Sequence, residues 1–337
     1  MKKNNKTHKT QLQLLLIFLM ILLSGCSVFQ SSEPVSKTGY ALNTVITITV
    51  YRPSEAPLLD QCLNLCKDYE NMFSKSISSS DIGRINAAAG RPVKVSDETI
   101  ELLNQAIHYS ELSNGLFDVT IEAVNSLWDF NSEAAAENAA MPPSRAAIDA
   151  ALPHVDFRNI QISGNTVTLL DPDASIDLGG IAKGYIADRL KEFLLEQGVR
   201  SAIIDLGGNI LTIGHKPDGS PYHVGIKRPF DQNGDIITSV SIADQSVVTS
   251  GTYERYFTYQ GKMYHHILSP STGYPADNDL NSVSIIAASS VDCDALSTIC
   301  LLSGLNDGMQ LIESLPNTEA IFITKDGRLH STNKLSQ

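Results

Sequence analysis

The sequence predicts an α+β fold built as one unit, with helices packed on largely antiparallel β-sheets. Three observations carry this. Short strand-like runs are joined by the turn pairs Gly164-Asn165, Gln260-Gly261 and Asp326-Gly327, which reads as one hairpin after another. Stretches with a helical period are few. Apolar residues make up 42% and charged residues 18% of 337 positions, enough for a sizeable core and too apolar for wholesale disorder.

Taken in order, Thr44–Tyr51 sets Ile46, Ile48 and Val50 against Thr47 and Thr49, the alternation of a half-buried strand. Leu59, Cys62, Cys66, Tyr69 and Phe73 recur at helical spacing. A second helix is expected from Asp97 to Leu112, capped by Ser96 and stopped by Asn114-Gly115. Residues 131–145 read as a surface excursion, and short strands are expected between 159 and 177. In Ser175-Ile-Asp-Leu-Gly-Gly-Ile-Ala-Lys-Gly-Tyr185 an apolar run ends at Asp177 and a glycine turn follows. A helix then begins at once, with Ala182, Ile186, Leu190 and Phe193 at helical spacing and Gly198 as its stop. A second Asp-Leu-Gly-Gly, at Asp205–Gly208, leads instead into a strand, Ile210–Ile213, so the two are similar turns rather than a repeat. Strands are expected over Tyr222–Lys227, Asp235–Ile242, Tyr253–Leu268 and Ser282–Ala288. A helix from Val291 to Ser303 should end at Gly304, followed by one more helix and the last hairpin.

The N-terminus is a targeting segment. Lys2, Lys3, Lys6 and Lys9 precede an apolar run from Leu12 to Leu23, and Leu23-Ser24-Gly25-Cys26 resembles a bacterial lipobox. The run is too short to span a bilayer comfortably. The expected organisation is a signal peptide over 1–25, a lipidated Cys26 with a tether over 26–38, and a domain over 39–337. The expected location is the extracytoplasmic face of the cell membrane, held by the lipid. Without residues 1–25 the chain has 21 basic against 37 acidic residues. Such a surface argues against nucleic-acid binding. Cys62, Cys66, Cys293 and Cys300 sit in helical sequence without zinc spacing and read as buried free thiols.

Three features carry chemistry. The glycine turn before Ala182 offers free backbone N–H groups and a positive dipole end to an anion such as a phosphate, with Lys183 close by; alternatively it is a tight turn with Lys183 solvated. Asp294 and Thr298 lie four apart on one helix face and could ligate a hard cation such as Mg²⁺. Otherwise the aspartate serves its helix dipole and the threonine bonds back to its own helix. His266 opens a loop rich in Ser, Pro, Thr and Gly, where functional side chains are often displayed, or is a surface histidine beside a turn.

Six segments occur in an order similar to that of the ApbE-type flavin transferases. They are Phe117-Asp-Val-Thr120 with Leu127-Trp128, Asp177-Leu-Gly-Gly-Ile-Ala-Lys-Gly184, Asp205-Leu-Gly-Gly-Asn209, Ser250-Gly-Thr-Tyr-x-Arg-Tyr256, His266-x-x-x-Pro-x-Thr-Gly273 and Asp294-Ala-Leu-Ser-Thr298. The resemblance covers roughly residues 40–325. It implies a single T-fold-related catalytic unit and an FAD:protein FMN transferase, which uses Mg²⁺ to move FMN from FAD to a threonine or serine hydroxyl of an acceptor protein. It also implies site roles. Asp294 and Thr298 would be metal ligands, with Gly180 adding a backbone carbonyl. Leu42, Phe117, Asp118, Asp177, Lys183 and the backbone at Ile267 would contact FAD, and His266 would stand near the reacting phosphate. The chain departs from the family pattern at Ser76, where an aromatic is common, at Ser269 in place of Asp, and at Leu42 in place of Met; these bear on flavin packing more than on metal chemistry. The same site could act as an FAD pyrophosphatase if water replaced the hydroxyl, and a lipoprotein that only binds flavin is the non-enzymatic alternative.

Overall fold

The computed structural model describes residues 33–332 apart from 131–134, 136–138 and 232. The expected signal peptide and the expected lipidation site, Cys26, lie outside the described residues. An eight-stranded antiparallel sheet runs in the order β1-β2-β6-β7-β10-β13-β14-β15. Its strands are β1 (Val35–Ala41), β2 (Thr44–Val50), β6 (Ala202–Leu206), β7 (Asn209–Ile213), β10 (Ser246–Gly251), β13 (Leu280–Ala287), β14 (Glu319–Thr324) and β15 (Leu329–Ser331). Between these, β3 (Val93–Lys94), β4 (Ile160–Ser163) and β5 (Thr166–Leu169) form a small sheet, while β8 (Tyr222–Lys227) pairs with β9 (Ile236–Ile242) and β11 (Tyr256–Tyr259) with β12 (Lys262–His265). The helices are α1 (Ala56–Phe73), α2 (Asp81–Asn86), α3 (Asp97–Leu112), α4 (Glu122–Asn125), α5 (Arg145–Ala151), α6 (Ala182–Glu196), α7 (Ser290–Ser303) and α8 (Leu305–Ser314).

Alternation in the strands divides the apolar residues between two faces. Ile46, Ile48, Leu206, Leu211, Val248 and Ile285 bury against Leu59, Cys62 and Cys66 of α1, Ile186, Leu190 and Leu194 of α6, and Leu296 and Ile299 of α7. On the other face, Val247, Ile286, Ile321 and Ile323 pack under Tyr222 and Ile226 of β8 and Val240 and Ile242 of β9. A third cluster gathers round Trp128, whose Nε1 donates to the Gly273 carbonyl at 3.0 Å and so braces the loop after His266. All four described cysteines are buried free thiols, as expected, and burial pushes Cys62 and Cys66 up to about 12.

The helix caps at Ser96 and Gly198 are where the sequence places them: Ser96 Oγ accepts from the Thr99 amide, and Gly198 takes a φ of 84°. Three differences are instructive. Residues 35–38, read as tether, form the first half of β1, whose polar, exposed middle Ser36-Lys37-Thr38 shows no alternation. β10 gave no strand signal of its own, being short and covered on both faces, with neighbours at both edges. The run to Asp177 is extended but makes only one isolated bridge, Ser175 to Ile121, because the Asp177 amide donates to Val119 rather than to a strand. Of the excursion at 131–145, Ala135 and Ala140 are buried in the tryptophan cluster.

Candidate active site

Pairing registers bring the β1–β2 turn, the β6–β7 turn and the end of β10 to the same end of the sheet. There a cleft of about 1270 Å³ opens, and all ten residues singled out above line it: Leu42, Phe117, Asp118, Asp177, Gly180, Lys183, His266, Ile267, Asp294 and Thr298. Segments some 250 residues apart in sequence thus meet in one place. The volume exceeds the roughly 300–1,000 Å³ of a typical small-molecule site.

At the cleft wall α6 and α7 touch through Gly184. A Cβ there would lie 2.4 Å from the Ser290 carbonyl oxygen and 2.6 Å from Val291 Cα, so no side chain is tolerated. The close approach lets the Gly184 amide donate to Asp294 Oδ2 at 2.9 Å. Gly184 is the third residue of α6, so its amide is one of the first-turn N–H groups that a helix leaves unpaired, and Asp294 takes it up. Here the Gly180 carbonyl accepts no hydrogen bond among the described residues. Gly180 itself stands beside Thr298: a Cβ would be 3.6 Å from Thr298 Oγ1 and 3.1 Å from the Phe117 ring. Asp294 is only 4% exposed. Burial raises its pKa, opposed by the Lys183 charge and the Gly184 amide. A buried carboxylate, a hydroxyl and an unbonded carbonyl form a hard-oxygen donor set, and it fits Mg²⁺. Ser250 Oγ supports the hydroxyls, 3.2 Å from Thr298 Oγ1 and 2.8 Å from Ser297 Oγ.

Lys183 stands in the first turn of α6 and makes no hydrogen bond or ion pair among the described residues, so its ammonium is available to an anion. His266 is half-buried. Burial and the Arg255 guanidinium push its pKa down to about 3, so the ring is neutral at working pH. Its Nδ1 lies 3.2 Å from the Arg255 carbonyl, which fixes the proton on Nδ1 and leaves Nε2 as an acceptor. His265, by contrast, is a structural histidine. Its Nε2 donates to the Ala276 carbonyl at 3.0 Å, its Nδ1 accepts from the Ile267 amide, and burial lowers its pKa to about 4.

Three of the expected flavin contacts are partly engaged within the protein. Asp118 accepts at Oδ1 from the Thr120 amide and hydroxyl and at Oδ2 from the Phe157 amide. The Ile267 amide bonds His265 and its carbonyl accepts from Ala276. Asp177 accepts at Oδ1 from the Gly179 amide (2.8 Å) and at Oδ2 from Lys75 Nζ (2.8 Å) and Asn125 (3.2 Å). Lys75, Glu122 and Asn125 carried no spacing signal. Lys75 also pairs with Glu122, and those two carboxylates raise its pKa although burial opposes the charge. Apart from the cleft, His154, Asp171 and Asp173 bring ligand atoms within 4.8 Å of one another; none of the expected metal ligands belongs to that group.

Residues 42–322 match the ApbE family. The chain is 32% identical over 337 residues to the FAD:protein FMN transferase of Treponema pallidum (strain Nichols), covering 94% of this chain and 92% of the relative. It is 36% identical over 294 residues to an FAD:protein FMN transferase of Klebsiella pneumoniae (strain 342), covering 86% and 89%. Among solved structures, the ApbE protein of Thermotoga maritima superposes with a TM-score of 0.83 at 31% identity, over 90% of this chain and 98% of that one. The apo flavinyl transferase ApbE of Pseudomonas stutzeri gives 0.79 at 28%, over 90% and 96%.

Proposed function

The chain belongs to the ApbE family, and from that premise we propose that it transfers FMN from FAD to a threonine or serine hydroxyl of an acceptor protein, with Mg²⁺ held by Asp294, Thr298 and the Gly180 carbonyl. The observation that carries this is the meeting of three oxygen donors: the Gly184 amide holds the buried Asp294 carboxylate, and Gly180, whose carbonyl accepts no hydrogen bond among the described residues, stands beside Thr298. When bound there, Mg²⁺ would neutralise charge on the transferred phosphoryl group.

The remaining roles fall to the chain's own side chains. The Lys183 ammonium holds the pyrophosphate, since the Ile181, Ala182 and Gly184 amides at the start of α6 are already donated within the protein. The acceptor oxygen attacks the FMN-side phosphorus, the bridging P–O bond breaks, and AMP leaves with its electron pair. His266 Nε2 receives the hydroxyl proton, which its neutral state and fixed tautomer permit. Purified protein incubated with FAD, Mg²⁺ and candidate exported or membrane proteins should release AMP and leave a fluorescent flavin band on the acceptor in a denaturing gel. AMP release with no labelled acceptor would convert the reading to a pyrophosphatase. FAD binding with neither product would reduce the protein to a flavin carrier.

The tether completes the proposal. A lipid on Cys26 would hold the enzyme beside membrane-bound acceptors on the extracytoplasmic face and raise their effective concentration. Cys26→Ala should then leave the membrane fraction or stay unprocessed; a variant that fractionates and migrates like the wild type rejects the anchor.

A further inference from the structure

Lys75 is a half-buried cation that the transfer chemistry above does not use. It stands on the loop after α1, in Ser74-Lys75-Ser76, a hundred residues before the glycine turn. Its ammonium holds Asp177 Oδ2 at 2.8 Å and pairs with Glu122 of α4, and Asn125 of the same helix takes Asp177 Oδ2 at 3.2 Å. With Oδ2 occupied, Asp177 turns Oδ1 to the Gly179 amide at 2.8 Å. Gly179 precedes Gly180, whose carbonyl is the backbone member of the proposed metal set. Neither glycine takes a positive φ; the Ile181 and Ala182 amides close the turn on the Leu178 carbonyl, and the Asp177 contacts fix its Gly179 side.

We propose that Lys75 is a positioning residue: through Asp177 it fixes the Gly179-Gly180 turn so that the Gly180 carbonyl faces the metal site. The inference rests on the reading of Asp294, Thr298 and Gly180 as ligands. It also changes the part assigned to Asp177, whose carboxylate serves the turn. Groups that orient a metal ligand typically control affinity by about 10–100-fold when removed, with less effect on the step that follows binding.

The test uses the full chain with Mg²⁺ alone and with FAD. Lys75→Met should raise the Mg²⁺ concentration for half-maximal thermal stabilisation, and for half-maximal transfer, by about 10–100-fold, while kcat at saturating Mg²⁺ stays within about threefold. Lys75→Met/Glu122→Gln removes the carboxylate repulsion that the single change leaves behind, and should show the same Mg²⁺ shift with a wild-type melting temperature. Lys75→Arg should restore near-normal Mg²⁺ dependence. In a cycle with Asp177→Asn, the double variant should bind Mg²⁺ no more weakly than the worse single one, since both act through one turn. A direct contact of Lys75 with FAD predicts instead additive losses and a salt-dependent fall in flavin affinity, and that result overturns the proposal. Unchanged Mg²⁺ dependence in Lys75→Met/Glu122→Gln overturns it too. If wild-type protein itself shows no Mg²⁺ dependence, the metal reading has failed; if only the Lys75 variants behave as wild type, this inference alone has.

Discussion

Asp-Leu-Gly-Gly occurs twice in this chain, at Asp177–Gly180 and at Asp205–Gly208, and both copies border the cleft. In each, the aspartate accepts from a glycine amide at 2.8 Å, Asp177 from Gly179 and Asp205 from Gly208. The resemblance ends there. Gly207 and Gly208 have φ of 66° and 93°, so the second turn needs glycine for a left-handed hairpin between β6 and β7. The first turn has no positive φ; a Cβ at Gly180 would press on the Phe117 ring at 3.1 Å and stand 3.6 Å from Thr298 Oγ1, so glycine there keeps the approach to its carbonyl open. Identical letters therefore serve backbone conformation in one place and access to a carbonyl in the other. What decides between them is the following segment, β7 after the second turn and α6 after the first.

The comparison breaks most visibly at the residue to which only the first turn is tied. Asp294→Asn keeps an acceptor for the Gly184 amide but removes the charge. FMN transfer should fall by at least about a hundredfold. Because burial already raises the Asp294 pKa, the charged form is disfavoured in the fold, and the melting temperature of the variant should hold or rise. Mg²⁺-dependent turnover and melting on one preparation check both; near-normal transfer would remove the metal site from the first turn.

A smaller effect, on another axis, is expected at the second turn. An alanine Cβ at Gly207 would stand 2.1 Å from Thr44 Oγ1 and 2.8 Å from Thr44 Cβ, a clash that rotating the threonine does not relieve. Gly207→Ala should cost about 1–3 kcal/mol in denaturant unfolding while leaving the Mg²⁺ half-saturation unchanged. Gly180→Ala is the mirror case. Its Cβ meets the Phe117 ring at 3.1 Å, which a small ring shift relieves, so stability should change by less than about 1 kcal/mol while Mg²⁺ half-saturation rises. Swapped outcomes would mean that the two turns have been assigned the wrong way round.

A pH effect belongs to neither turn. Burial holds His266 and His265 at about 3 and about 4, whereas unfolded histidine takes a proton near 6.5. Below 6.5 the unfolded chain therefore binds more protons, so stability is full above that pH and is lost as pH falls toward 4. The melting temperature should decline from pH 6.5 to 4.5, and His265→Gln/His266→Gln should flatten the slope. Gly207→Ala should leave it intact. For the same reason kcat/KM should show no limb near pH 6.5; a limb there would mean that His266 is charged in the free enzyme.

Much of this was legible in the residues, for physical reasons that differ by element. Helical spacing at Leu59, Cys62, Cys66 and Phe73 is visible because one face of α1 is buried and the other is wet. β10 has no such contrast, because its residues are covered on both sides. β1 hides for the opposite reason, as an edge strand with a polar middle. In the site, Asp294, Thr298 and His266 stand out as reactive types at telling positions. Lys75 does not, because one lysine among serines has no period and its partners, Glu122 and Asp177, lie 47 and 102 residues away. Three-dimensional pairing alone reveals it.

The order in which the sheet is knitted has a consequence for how the protein comes to life. β2 pairs with β6 across about 150 residues, and β1 reaches the rest of the sheet only through β2. The cleft takes Leu42 from the first hairpin and Thr298 from α7, so no chain that stops short of α7 holds both walls. Such long-range closures make folding slow, and α1, already complete early in synthesis, must wait for strands made much later. A chain delivered from its N-terminus stays inactive until α7 has docked on α6 through Gly184. The Gly184 bond to Asp294 joins segments 110 residues apart, and activity becomes a report that the chain has been made through α7.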